Sequence, residues 1–108
     1  MDTLQTSQNP HVCTRSLKLL GDFWTLNIIA ALAEEGELRY CDLQRAAGGV
    51  NPVTLGNRLR KLTDAGMLAR KASTDDISVS YKLTELGEAA IPVIRAVDTF
   101  SRKLPKND

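Results

Sequence analysis

Asn57 and Arg60 lie three residues apart in the stretch Asn51 to Gly66, NPVTLGNRLRKLTDAG. A carboxamide and a guanidinium each make paired hydrogen bonds, and both geometries match base edges in a DNA major groove. At about 100° per residue these two side chains share a helix face with Val53, Gly56 and Lys61, flanked by Thr54 and Arg58. Val53 and Thr54 suit contact with a thymine methyl group, and Lys61 and Arg58 suit phosphate oxygens. Arg58 lies nearest the apolar side, so its stem also suits covering a core. On that side Leu55, Leu59 and Leu62 recur at i, i+4 and i+7, the spacing of a buried stripe. Gly56 costs a helix about 1 kcal/mol relative to Ala. Close approach of a ligand and tight internal packing both explain it.

Other reactive groups are few. Cys13 and Cys41 are too sparse for a disulfide scaffold, and with the single His11 they form no metal-type spacing. Cys13 precedes a short helical pattern with Arg15 close by, an arrangement that lowers a thiol pKa and speeds its oxidation. The alternative for a lone cysteine is a small buried hydrophobe. No paired carboxylate with a pocket signal, no Cys–His pair near in sequence and no phosphate-binding glycine loop is present, so no enzyme and no cofactor are expected. No metal site is expected either.

With 108 residues, 43% of them hydrophobic and 25% charged, the chain suits one domain with a modest core. No run approaches the roughly 20 apolar residues of a membrane span, and no signal-peptide pattern opens the sequence, so a cytoplasmic protein without a membrane partner is expected. The net charge is only +1, but it is unevenly spread. From Asn51 to Ala72, Arg58, Arg60, Lys61, Arg70 and Lys71 face only Asp64, which leaves an acidic remainder. A basic segment on an acidic body is the footprint of a nucleic-acid reader.

The elements that must position this segment follow from periodicity. Residues 1–12 are polar and aperiodic and read as a flexible arm. A short helix over Thr14 to Leu20 places Cys13, Leu17 and Leu20 on one side and ends at Gly21. Asp22 caps a second helix whose buried stripe is Trp24, Ile28, Ala31 and Leu32, widened by Ile29. Trp24 reads as core at that spacing. Gly36 to Tyr40 is extended but too short to stand without a partner. A brief helix over Asp42 to Ala47 and the turn Gly48-Gly49-Val50 then lead into Asn51, an N-cap with Pro52 at the first helical position. Helix, short glycine-containing turn and helix is the helix-turn-helix signature.

After Gly66 the period changes to two. Met67 to Lys71 and Ser78 to Leu83 read as a hairpin, a wing whose Arg70, Lys71, Ser73 and Thr74 suit a minor groove or backbone phosphates. Thr84 caps a final helix in which Leu86, Ala90, Val93, Val97, Phe100 and Leu104 form a heptad-like seam, with Pro92 expected to bend it. Ile91 and Ile94 lie off the seam. An apolar surface on two sides calls for a second subunit, with Leu17, Leu20, Val93, Val97, Phe100 and Leu104 as its interface.

Cys13, Gly21-x-x-Trp24, Gly36-x-Leu38-Arg39-Tyr40-x-x-Leu43 and Gly49-Val50 before the leucine stripe resemble the HxlR-type winged helix-turn-helix regulators. So do Ala65-Gly66-Met67-Leu68-x-Arg70 and Tyr81-x-Leu83-Thr84-x-x-Gly87, so that the likeness runs from Cys13 to Phe100. The resemblance implies a bacterial, dimeric DNA-binding transcription regulator, with Arg39 near the phosphate backbone and, as in some relatives, an oxidant-sensing Cys13.

The expected fold is mainly α with a small β-hairpin wing, a winged helix-turn-helix over residues 13–104 with N- and C-terminal dimerisation helices and a frayed tail at 105–108. The expected function is sequence-specific binding of a pseudo-palindromic double-stranded operator as a homodimer, with redox or electrophile response through Cys13. The signal itself is left open. Asn51, Pro52, Val53, Thr54, Gly56, Asn57, Arg58, Arg60, Lys61, Arg39, Arg70, Lys71, Ser73 and Thr74 are the expected DNA-facing residues. The alternative is a winged-helix protein-interaction module without DNA binding.

Overall fold

The computed structural model describes residues 13–72 and 79–106. They form α1 (Thr14–Leu20), α2 (Phe23–Glu35), β1 (Glu37–Arg39), α3 (Tyr40–Ala46), α4 (Pro52–Asp64), β2 (Leu68–Ala72), β3 (Val79–Leu83), α5 (Glu85–Glu88) and α6 (Ile91–Arg102). The expected arm at 1–12, the loop residues Ser73 and Thr74 and the last two residues of the tail lie outside the described residues.

α4 starts and stops where its end residues dictate. The Asn51 side chain accepts hydrogen bonds from the Val53 and Thr54 amides at 2.8 and 3.4 Å, satisfying two of the donors a helix N-terminus leaves free. At the other end Gly66 adopts φ +83°, the Gly66 amide donates to the Thr63 carbonyl, and the Met67 amide donates to the Leu62 carbonyl. This pattern needs a left-handed residue, and Gly adopts that conformation without a Cβ penalty. Leu55, Leu59 and Leu62 are buried together with Ile28, Ile29 and Leu32 of α2 and Leu43 of α3. The leucine stripe is therefore the underside of α4, and everything opposite it is presented outward.

The short extended piece finds its partner in the hairpin. β1 pairs antiparallel with β3, and β3 with β2, giving a three-stranded sheet in the order β1-β3-β2. Leu38, Tyr81 and Arg70 stand in one row across this sheet, and Arg39, Ser80 and Lys71 in the next. Neighbouring rows point to opposite faces. α3 begins at Tyr40, two residues before the expected start, with Arg39 as its N-cap residue. The Gln44 side chain donates to the Val50 carbonyl at 2.8 Å, and Gly48 and Gly49 take φ +106° and +76°. That turn delivers the chain into α4.

The C-terminal segment departs from the expected single bent helix. Thr84 caps α5 as expected, accepting from the Gly87 amide at 3.1 Å, but α5 lasts one turn. α6 then begins anew at Ile91, with Pro92 in its first turn. Proline carries no N–H and costs nothing in a first turn, whereas inside a helix it removes a hydrogen bond. The chain breaks the helix instead of bending it. The expected continuous seam breaks with it: Ala90 is buried in the core, while Val93, Val97 and Phe100 on α6 and Leu104 just beyond it remain exposed. No described helix is long and apolar enough to cross a membrane by itself.

Candidate nucleic-acid interface

The outward side of α4 is open along its N-terminal half. Val53 is 71% exposed, Asn57 is exposed, and Thr54 is half-buried with its amide already tied to Asn51. Pro52 is exposed at the helix start, its carbonyl accepting from the Tyr40 hydroxyl at 3.0 Å. This bond fixes the first turn of α4 against α3. A Cβ built at Gly56 meets nothing within 4 Å, so internal packing does not account for that glycine.

The cations of α4 separate onto two flanks. Arg58, expected at phosphates, is instead paired with Asp22: its Nε and a terminal guanidinium nitrogen donate to the two carboxylate oxygens at 2.9 and 3.3 Å. Asp22 is also the N-cap of α2, accepting from the Thr25 amide and hydroxyl at 2.9 Å each. Thr25 is fully buried, so the whole arrangement sits at the edge of the core. The Arg58 guanidinium, helped by Thr25, holds the Asp22 carboxyl well below the usual carboxylate range, and the Arg58 pKa rises in return. Lys61 also leans this way, donating to the Lys18 carbonyl in the last turn of α1 at 2.9 Å. Lysine there meets the negative end of a helix dipole. These two side chains fasten α4 to the α1–α2 corner.

Arg60 points to the other flank, toward the sheet. It is exposed, as are Arg70 and Lys71, but those two wing cations do not act together. Arg70 stands opposite Tyr81, in the row that faces α4, while Lys71 stands opposite Ser80 on the outer face. Arg39 occupies that outer row too. There the Ser80 hydroxyl donates to Glu37, and this bond, with Lys71 and Lys82 nearby, lowers the Glu37 pKa.

The apolar residues expected at a subunit interface divide as well. Leu17 is exposed on α1, and Val93, Val97, Phe100 (62% exposed) and Leu104 are exposed along α6 and just beyond it. Leu20, expected among them, packs against the core. Phe23, not foreseen, is exposed and meets Trp24 edge-on with ring centroids 4.8 Å apart. Trp24 is half-buried against the core, as its spacing implied.

Both thiols are free and exposed, so the buried-hydrophobe reading of Cys13 does not hold. Cys13 is the N-cap residue of α1, and the backbone N–H groups of Ser16 and Arg15 lower its pKa, with a smaller contribution from the Arg15 charge. Among the described residues no cluster of side chains suited to a metal ion occurs.

Sequence reasoning missed Asp22 and Tyr81 as parts of this surface. Asp22 was legible as a cap, but its pairing with Arg58 spans 36 residues and leaves no local pattern. Tyr81 reads as a core residue of an alternating strand. Only the register shows that it shares a row with Arg70.

Residues 19–107 match the HxlR-like helix-turn-helix family. The HTH-type transcriptional regulator YtfH of Escherichia coli is 36% identical over 92 residues, covering 83% of this chain and 72% of that protein. A MarR-family transcriptional regulator from Porphyromonas gingivalis W83 superposes with a TM-score of 0.77 at 28% identity, covering 90% of this chain and 97% of that one. The reduced form of the transcriptional regulator YodB from B. subtilis gives a TM-score of 0.74 at 24% identity, covering 90% and 99%, a likeness of fold. With its helix-turn-helix, its paired wing strands and this match over most of its length, the chain belongs to the HxlR-like family of winged helix-turn-helix transcriptional regulators.

Proposed function

We propose that the chain binds a pseudo-palindromic double-stranded DNA operator as a homodimer, with α4 in the major groove and the wing beside it. One observation carries the reading: α4 buries three leucines and leaves Val53 and Asn57 exposed, with Thr54 half-buried between them and a Cβ at Gly56 meeting nothing within 4 Å. Asn57 is suited to adenine and Val53 and Thr54 to thymine methyl groups, while Asn51 and Pro52 set the helix start against the groove. Lys71 and Arg39 supply cations from the outer face of the sheet. Leu17, Val93, Val97, Phe100 and Leu104 are exposed apolar residues suited to contact with a second copy; on this reading the two α4 helices meet the duplex about 34 Å or a multiple apart.

Selection of bound fragments from sheared genomic DNA tests this. Enrichment of a two-fold-symmetric site is expected, with Asn57→Ala losing about 1–3 kcal/mol of discrimination at one base pair per half-site. Phe100→Asp should give a monomer in sedimentation and lose tight binding. Absence of any enriched fragment, for reduced and oxidised protein alike, would favour a protein-interaction module.

A second reading adds a thiol response. The exposed Cys13 with its lowered pKa favours it, and the solved forms of YodB include one treated with diamide. Diamide treatment is expected to change the mobility-shift affinity of wild type and leave Cys13→Ser unchanged. Equal affinity of oxidised and reduced wild type would end this reading.

A further inference from the structure

Beside the proposed base-reading face, α4 and the sheet enclose a cleft of about 320 Å³. Gly56, Arg60 and Thr63 line it from the helix, where their spacing of i, i+4 and i+7 makes one stripe. Arg70 and Tyr81 line it from the sheet, directly opposite each other in register, which puts their Cβ atoms about 5 Å apart on one face. Two arginines from separate elements therefore border one volume. Among the described residues neither enters an ion pair.

Tyr81 adds an independent observation. It is only 8% exposed, and its hydroxyl has no hydrogen-bond partner among the described residues. The ring is buried and no described protein group occupies the hydroxyl, so it is free to donate to a molecule in the cleft. Thr63 offers no donor, because its hydroxyl already donates to the Leu59 carbonyl at 2.7 Å. Donors and charge thus come from Arg60, Arg70 and Tyr81, with no acceptor among those three that an anion would meet unfavourably. Asp64 lines the cleft at its far end, one helical turn beyond Arg60. Its carboxylate repels an anion there, whereas the Gly56 end is open, since a Cβ at that position would meet nothing within 4 Å.

We propose that this cleft is a phosphate site, in which a phosphate group enters at Gly56 and takes hydrogen bonds from Arg60, Arg70 and the Tyr81 hydroxyl. Guanidinium groups suit this role because their planar fork pairs two donors with two phosphate oxygens. That the phosphate is a phosphodiester of the operator backbone rests on the DNA-binding function proposed above. The site itself is defined by the cleft. On this assignment Arg60 positions the duplex against the wing, and the reading of bases falls to the N-terminal half of α4.

Two arms test the site and its source of phosphate. In the DNA arm, salt titrations are run on the enriched duplex and on a scrambled one. Arg60→Gln and Arg70→Gln are each expected to reduce the log–log salt slope by about 1.8, about 0.9 for each subunit of the dimer, and to weaken both duplexes by the same factor. Tyr81→Phe, which keeps the ring, is expected to weaken both several-fold with the slope unchanged. In the other arm inorganic phosphate is titrated into full-length protein without DNA. Saturable shifts of the Arg60 and Arg70 Nε–H signals, absent in the Arg70→Gln protein and absent at Arg58, are expected. Phosphate saturation by a protein that binds no duplex would keep the site, assign it to a free phosphoanion and remove the operator reading. Duplex binding in which Arg60→Gln erases discrimination at one base pair with its slope unchanged would overturn the site and leave the operator reading standing. So would duplex binding with neither slope changes nor phosphate shifts.

Discussion

The two flanks of α4 carry the same kinds of side chain to different ends. Toward the α1–α2 corner, Arg58 holds both oxygens of Asp22 and Lys61 reaches the Lys18 carbonyl, so two cations are spent inside the molecule. Toward the sheet, Arg60 and Arg70 face a cleft without an ion-pair partner among the described residues. A count of positive charge along the helix treats all these residues alike. The difference is set by what each flank packs against: a helix corner that ends in carbonyls and a capping carboxylate, or a sheet whose inner row exposes one more arginine. One flank holds α4 in place, and the other is left to hold something else.

Substitutions at Asp22 break the fastened flank most severely. Asp22→Ala removes the cap of α2 and strands Arg58, and a loss on the order of 2 kcal/mol in denaturant unfolding is expected. Asp22→Asn keeps a capping acceptor and loses the charge, so it should cost less. It should also change the response to acid. The Asp22 pKa is lowered in the folded chain. Its stabilising contribution is therefore complete above the unfolded carboxylate value of about 3.9 and is lost as the pH falls through that value toward the lowered one. Wild type should lose stability below about pH 4 more steeply than Asp22→Asn. Parallel curves for the two proteins would show that the pair does not matter.

Asn51→Ala removes the acceptor for two amides at the start of α4 and should cost about 1 kcal/mol, read from the shift in urea midpoint. Gly56→Ala sharpens the contrast from the open side. Because the new methyl meets nothing in the free protein, thermal unfolding should show a gain of up to about 1 kcal/mol. The same variant should bind duplex DNA more weakly, since the methyl narrows the entrance to the cleft. A variant that is less stable, or that binds as well as wild type, would return Gly56 to an internal role. Lys61→Ala should have the smallest effect, within about 0.5 kcal/mol, because its bond lies at the surface.

Much of the scaffold is legible in the sequence, because local rules decide it. Asn51-Pro52 and Gly66 mark both ends of α4, Asp22 and Thr84 mark helix starts, and the leucine spacing selects the buried side. The helix-turn-helix follows from the Gly48-Gly49 turn, and the wing from the change of period at Met67. Three features are not legible, and each depends on pairing between distant segments. The third strand needs β3 to be recognised as a partner for Glu37–Arg39. The role of Arg58 needs Asp22, and the placement of Arg70 beside Tyr81 needs the strand register. Pro92 was legible as a disturbance, but bend and break differ only in where the core takes Ala90.

The most direct test of the account is a footprint of wild-type protein on its selected duplex by phosphate ethylation interference. Two clusters of interfering phosphates related by a two-fold axis are expected, about one helical turn or a multiple apart, with one phosphate in each cluster dispensable in the Arg70→Gln protein. A single cluster, or interference that Arg70→Gln leaves untouched, would contradict the symmetric placement of α4 and the wing on DNA.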